Sequence, residues 1–340
     1  MSKIFVAAVI CAQILVLVFM AGQREYIRAT GEIVYFRTAP LDPRDPLRGD
    51  YVRLQYAINT LQPRQIAASQ LDLSEDNLPE KDDVLYISLD TDDSGVASFD
   101  NISLRPPESK TYIKGRVNYS WHSADLNRLN LRYGIEQLFV QQGTGLAMEE
   151  KMGRWGDMQI PLEVEVALGG DGTAVTRGYR WSQLGIQTEV MVPERRENSG
   201  TDNEVVSPRL KITIKNVSDA PLALIDSPDH CGFVLESEGW TSTVIEVADN
   251  RCKNYTTQTA DLIILNPEQS QDFEFDLSQP RWHLLVDGEI KEIGTFGFSE
   301  QFRLVYQSPS RTDIDALNNN TEVWSGELPS RAFYASGRID

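Results

Sequence analysis

The chain predicts a mainly β fold: an N-terminal transmembrane helix, then a β-rich domain, then a C-terminal immunoglobulin-like β-sandwich. Three observations carry this. Residues 4–22 are apolar except for Gln13. Beyond them, short alternating or β-branched runs separated by turn residues dominate, and long helical periodicity is nearly absent. Residues 192–207 form a polar, charged stretch almost free of large apolar side chains, as expected of a linker. The expected division is an anchor at 1–28, a β-rich domain at 29–191, a linker at 192–207 and a sandwich at 208–340.

The apolar run approaches the roughly 20 residues a helix needs to cross a bilayer. Lys3 precedes it, and Arg24, Glu25 and Arg28 follow. The rival reading is a cleaved signal peptide, which wants small residues one and three positions before the cut. Cuts after Ala21 or Gly22 put Phe19 or Met20 at the third position back. Ile10 is too bulky to make Cys11 a lipoprotein site. An uncleaved single span is the expectation. Lys3 and the amino terminus favour one orientation and Arg24 with Arg28 the other, so flanking charge does not decide it.

Cysteine placement does. Cys11 lies in the apolar run, whereas Cys231 and Cys252 are close together in a large soluble part. That pattern fits a disulfide in an oxidising compartment, contributing about 3 kcal/mol for a loop of that size; two unrelated buried thiols are the alternative. The soluble part is therefore expected to be periplasmic, carried on the inner membrane. A net charge of −18 without any Lys/Arg run excludes a nucleic-acid binder and argues against adhesion to anionic lipid.

In the first domain, strands are expected at 31–37, 51–59, 83–90, 96–104, 111–119, 129–135, 162–168 and 174–180, with a short helix at 145–153 whose Leu146, Met148 and Met152 share a face. The second domain shows seven or more short strand-like runs from Leu210 to Asn216 onward, the spacing of an immunoglobulin-like sandwich.

Residues 47–56, LRGDYVRLQY, follow the Pro-rich run Leu41-Asp42-Pro43-Arg44-Asp45-Pro46. Alternation puts Val52, Leu54, Tyr56 and Ile58 on one apolar face and Tyr51, Arg53 and Gln55 on the other. Asp50 then heads the apolar face and needs a donor or cation, for which Arg48, Arg37 and loop amides are candidates. Gly49 gives freedom for a sharp turn. One reading makes Asp50 a lock on a loop-to-strand corner; the other makes Arg48, Gly49, Asp50, Tyr51, Arg53 and Tyr56 a recognition surface, held near the membrane by a short tether.

Gly49, Asp50, Tyr51, Leu54 and Tyr56 match every specified position of the GDYXXLXY signature, and the chain resembles that family of bacterial membrane-associated proteins. The DPRDPLR run, Tyr112-Ile113-Lys114-Gly115-Arg116-Val117 and Leu131-Arg132-Tyr133-Gly134-Ile135-Glu136 also look like the family, over about residues 32–180. Lys114, Gly115, Arg116, Tyr133, Gly134 and Glu136 are thus a secondary motif. The resemblance implies no reaction. It does imply a membrane partner, because family members are often encoded beside multi-span membrane proteins.

Chemical motifs are sparse. His122, His230 and His283 lack metal-ligand spacing, a disulfide at Cys231 disfavours zinc beside His230, and G-x-S-x-G is absent. Asp90-Thr91-Asp92-Asp93-Ser94-Gly95 begins like a calcium loop, but Asn101 stands at the twelfth position, so a hairpin turn is expected there and at Gly169-Gly170-Asp171-Gly172. Arg48-Gly49-Asp50 spells an integrin-type tripeptide but feeds directly into a strand. A signal-peptidase-like Ser/Lys dyad on Lys114 would need a desolvated lysine, whereas alternation turns Lys114 and Arg116 away from the apolar face of Ile113, Val117 and Tyr119.

No metal or cofactor is expected. The sequence favours a non-enzymatic module for an envelope or multi-span membrane protein. A carbohydrate- or peptide-binding module is the alternative, for which Trp121, Trp155, Trp181, Trp240, Trp282 and Trp324 would have to offer exposed platforms.

Overall fold

The computed structural model describes residues 3–40, 51–61, 65–66, 69, 79–119, 129–153, 156–191, 207–237, 246–247, 251–286, 288–309, 311–317 and 321–336. Its first element, α1 (Lys3–Thr30), is a single helix long and apolar enough to cross a membrane. Its side chains are exposed until Ile27, which is buried. There the helix meets the soluble part directly. Gly31 N donates to Ile27 O at 2.7 Å, and β1 begins one residue later at Glu32. A Cβ on Gly31 would stand 2.6 Å from Ile27 O and 2.8 Å from Leu168 O, so only glycine lets the helix end close on the neighbouring strand end. Helix and sheet are joined without a flexible linker.

The first β unit contains β1 (Glu32–Pro40), β2 (Tyr51–Tyr56), β3 (Thr60–Leu61), β4 (Val84–Thr91), β5 (Ala97–Ser103), β6 (Tyr112–Tyr119), β7 (Leu129–Arg132), β8 (Gln137–Phe139), β9 (Leu162–Leu168) and β10 (Ala174–Trp181). They form two five-stranded sheets, ordered β10-β9-β1-β2-β8 and β3-β7-β6-β4-β5. The sheets share one core that includes Val34, Phe36, Val52, Leu54, Ile113, Val117 and Val164. All eight expected strands are present among the described residues.

The differences are local. β2 stops at Tyr56 because Asn59 Oδ1 accepts from Tyr56 N at 2.7 Å and closes residues 57–59 into a 3-10 turn. β7 stops at Arg132 because the chain turns at Gly134, which has φ +81°. The short β8 was not expected. In α2 (Gly145–Met152), Met148 and Met152 enter the core, but Leu146 is 42% exposed. Met148 and Met152 are one helical turn apart, whereas two residues rotate about 200°, which corrects the expected three-residue face.

β11 (Leu184–Met191), also unexpected, pairs along its length with β12 (Arg209–Asn216). Leu184 and Ile186 belong to a second core with Leu210, Ile212, Phe233, Phe275 and Tyr306. Packing therefore changes from the first core to the second between Trp181 and Leu184, ahead of the polar stretch, whose residues 192–206 lie outside the described ones.

The second unit continues with β13 (Leu222–Ile225), β14 (Phe233–Ser237), β15 (Glu246–Val247), β16 (Leu262–Leu265), β17 (Ser270–Asp276), β18 (Leu284–Val286), β19 (Glu289–Lys291), β20 (Gln301–Gln307), β21 (Glu322–Val323), β22 (Glu327–Pro329) and β23 (Phe333–Tyr334). Its sheets are β11-β12-β17, β16-β13-β21, β15-β18-β19, and β14-β20-β22 with β23 on β20. β13 and β21 run parallel, and the other described pairings here are antiparallel. The strand-rich class is as expected. The pairings establish a multi-sheet β unit. Cys231 and Cys252 are disulfide-bonded with a Cα–Cα distance of 5.4 Å.

Candidate docking surface

The motif strand enters the sheet between β1 and β8. Its inward residues Val52, Leu54 and Tyr56 are buried, as is Ile58 in the following turn, while Arg53 and Gln55 are exposed. Arg48, Gly49 and Asp50 lie outside the described residues, as does the Asp-Pro run before them, and of Tyr51 only the backbone is described. Arg37, one of the partners expected for Asp50, is committed elsewhere. Its Nε and Nη2 donate to Glu163 Oε1 at 3.0 and 2.7 Å.

Tyr56, expected on a recognition surface, is 2% exposed and faces inward. Its hydroxyl donates to Ile135 O at 2.8 Å. The secondary motif converges on the same corner. Tyr133 OH donates to Ile58 O at 2.6 Å, and Asn59 Nδ2 donates to Leu131 O at 2.9 Å. Glu136 accepts from Tyr133 N, from Gly134 N and, at 3.2 Å, from Asn59 Nδ2. Burial, reinforced by the Glu136 carboxylate, pushes both tyrosine hydroxyls well above the ordinary tyrosine range. Gly115 lies under the Tyr133 ring, where a Cβ would come within 2.8 Å of its edge. Tyr56, Gly115 and Tyr133 thus form the buried part of a polar lock that Gly134 and Glu136 close nearer the surface. Sequence reading missed Asn59, whose position just past an alternating apolar run was the available signal.

Lys114 and Arg116 point away from this core. Lys114 Nζ is paired with Asp171 Oδ2 at 2.9 Å, and Arg116 Nη1 donates to Asp82 O at 3.1 Å. The dry, unpaired lysine of a Ser/Lys dyad is not what Lys114 provides. Partial burial alone would raise the Asp171 carboxyl, but hydrogen bonds from Lys114 and Thr173 with the Lys114 charge outweigh it and lower it to about 2. Both turn expectations hold. Asp92 Oδ1 accepts from Ser94 N and Val96 N to close the β4–β5 turn, and Gly172 N donates to Gly169 O in the β9–β10 hairpin.

The outward side of the motif strand is different. Tyr51 faces Phe139 and Arg53 faces Gln137 across the β2–β8 pair. Arg53 and Gln137 are exposed and Phe139 is 73% exposed, on a strand at the sheet edge. Next to this edge strand, β2 pairs with the distal part of β1, where Pro40 faces Leu54. The helix junction lies at the other end, about 27 Å away along an extended strand of that length. The motif strand therefore pairs with the end of β1 opposite α1.

A second polar cluster joins the two cores. Glu163 is 4% exposed and accepts from Arg37 and, through Oε2, from Arg180 Nε at 2.7 Å. The Arg37 guanidinium lies 5.0 Å from the Trp324 ring centroid and donates through Nη1 to Glu327 O in the second unit. Strand alternation places Glu163 with Glu165 on a polar face, so only packing reveals that Glu163 is buried.

Trp282 and Trp324 are buried and Trp181 is half-buried, with Lys151 Nζ 4.4 Å from its ring. Trp121, Trp155 and Trp240 lie outside the described residues, as does His122. His230 Nδ1 pairs with Asp226 Oδ2 at 2.7 Å, and His283 Nε2 is 3.2 Å from Ser278 O.

Together these features define a β-rich protein carried on one N-terminal apolar helix, with a disulfide that fits an oxidising, extracytoplasmic setting. Residues 13–178 match the family model described as GDYXXLXY protein, the family whose signature the motif strand carries. The match begins inside α1, upstream of the stretch that the motifs alone marked, and does not reach the second unit's core strands. No curated protein and no solved structure matches the chain.

Proposed function

We propose that this protein is a non-enzymatic accessory module of the bacterial envelope, anchored in the inner membrane with both β units in the periplasm, and that it docks onto a multi-span membrane protein. The observation that carries this reading is α1, apolar over residues 4–22 apart from Gln13, exposed as far as Tyr26 and then joined to the sheet without a linker. Such a junction holds a folded module in a defined pose at a membrane, which suits a partner that is itself fixed there. The disulfide supports the compartment.

The docking face supported best is the outer side of β2 and β8, with Arg53, Gln137 and Phe139. An aromatic beside an arginine is the composition enriched in interface cores. Because this edge lies at the far end of β1 from the helix, it would meet a partner's extracytoplasmic loops. Copurification from mild detergent tests the reading. The wild-type chain should bring down a multi-span protein, and an Arg53→Ala/Phe139→Ala variant should recover at least about tenfold less, the cost of losing an interface anchor. Recovery of the wild-type chain alone would refute it.

A further inference from the structure

Gln13 stands at the centre of the apolar run, with nine residues, 4–12, before it and nine, 14–22, after it. Its side chain is exposed on the outside of α1. In a bilayer of roughly 30 Å hydrocarbon thickness that places a primary amide near the midplane, where no water satisfies it. The amide has two N–H donors and one carbonyl acceptor. The backbone of a straight helix has no free group within the span to meet them, so the partner must come from another helix.

We propose that α1 pairs with α1 of a second copy of this chain through Gln13. Self-complementarity selects this occupant. About a two-fold axis, each Gln13 carbonyl accepts from the other copy's amide, so one residue supplies both halves of a reciprocal bond. A partner of different sequence would have to bring its own matched group. The surrounding pattern agrees. Val6, Gln13 and Met20 recur every seven residues, with Val9, Ile10, Val16 and Leu17 between them, which makes a continuous seam at coiled-coil spacing. A polar residue at one such position sets register. Cys11 is two residues from Gln13, about 160° round the helix, and faces away from the seam. The rigid junction at Gly31 would transmit this pairing to the β units as a fixed relative orientation.

This inference rests on the membrane-anchor reading but not on the docking reading. The test uses full-length protein in native membranes, with oxidative crosslinking at two positions. In the native chain Cys11 should give little dimer. In a Cys11→Ala/Leu17→Cys variant, about 40° from Gln13 on the seam, crosslinked homodimer should form. Adding Gln13→Leu should weaken dimerisation about 3- to 30-fold, the range for a membrane-buried side-chain hydrogen bond, and Gln13→Asn should restore part of it. Equal crosslinking at positions 11 and 17, or a Gln13→Leu variant that dimerises as before, would overturn the proposal. So would crosslinking at position 17 to a different protein without homodimer, and that result would support the docking reading. Extraction of the intact chain by alkaline carbonate would instead sink the anchor reading itself.

Discussion

Replacing Glu163 by Gln keeps the side chain's volume and removes its charge. The carboxylate accepts three hydrogen bonds, from Arg37 Nε and Nη2 and from Arg180 Nε. The side chains of Glu163 and Arg37 are 5% and 11% exposed, whereas that of Arg180 is 39% exposed. Arg180 keeps Ser94 O and the Tyr35 ring as partners and can still reach water, so it contributes little to the loss. Arg37 cannot, and it keeps an uncompensated charge against the second core. Breaking a buried pair in this way costs about 3–5 kcal/mol, and the partial access of water to Arg37 places the expectation near the lower end.

The assay is urea unfolding followed by tryptophan fluorescence. Trp324 reports the joint because the Arg37 guanidinium lies 5.0 Å from its ring, and a Trp324→Phe control isolates its signal. The transition should move down by roughly 1 M urea for a slope near 3 kcal/mol per molar. An Arg37→Met/Glu163→Leu pair removes both charges and should recover much of the loss, as apolar replacement of a whole ion pair commonly does. If Glu163→Gln costs less than about 1 kcal/mol, the pair does not carry the joint and the burial argument fails.

Four further outcomes follow from particular contacts. Gly31→Ala should destabilise the helix–sheet junction by about 1–3 kcal/mol through overpacking and expose it to protease; an unchanged cleavage pattern would contradict the close approach. Tyr133→Phe should cost about 1–3 kcal/mol by leaving the buried Ile58 carbonyl unpaired, read as a lowered melting temperature that a purely apolar role for the ring would not produce. Asp171 has a lowered carboxyl, so its tie to Lys114 is complete above its ordinary value of 3.8 and is lost as pH falls toward about 2; NMR titration should show this, and Lys114→Met should move the midpoint up toward 3.8, whereas an unmoved midpoint would remove Lys114 as a cause. Cys231→Ser/Cys252→Ser opens a bridge of sequence separation 21 and should cost about 3 kcal/mol in chain entropy, measured by denaturation; free thiols in non-reducing mass mapping would refute the bridge.

Much of the architecture was readable because it depends on local periodicity. Apolarity from Ile4 to Gly22, broken only by Gln13, marks a membrane-length helix, and alternation marks β1, β9 and β12 to within a residue or two at most ends. β8 and β11 escaped for opposite reasons. β8 has only three residues, too few to show a period, and β11 runs on from β10 with only Ser182 and Gln183 between them. The motif residues were recognisable as a set, but their distribution between inside and outside was only partly so. Alternation sends Tyr56 inward, yet nothing local shows that its hydroxyl meets Ile135 O or that Gly115 makes room for Tyr133.

The sequence by itself determined the N-terminal apolar helix, the mainly β class, the closeness of the two cysteines Cys231 and Cys252 and the identity of the motif, since each is a property of neighbouring residues. Tertiary structure alone decided three things. It joined α1 directly to the sheet at Gly31, buried Glu163 between two arginines, and paired the motif strand with the end of β1 opposite α1. Each depends on which distant strand packs alongside, and a side chain's solvent access and partners are set by those long-range neighbours, not by its position in a repeat.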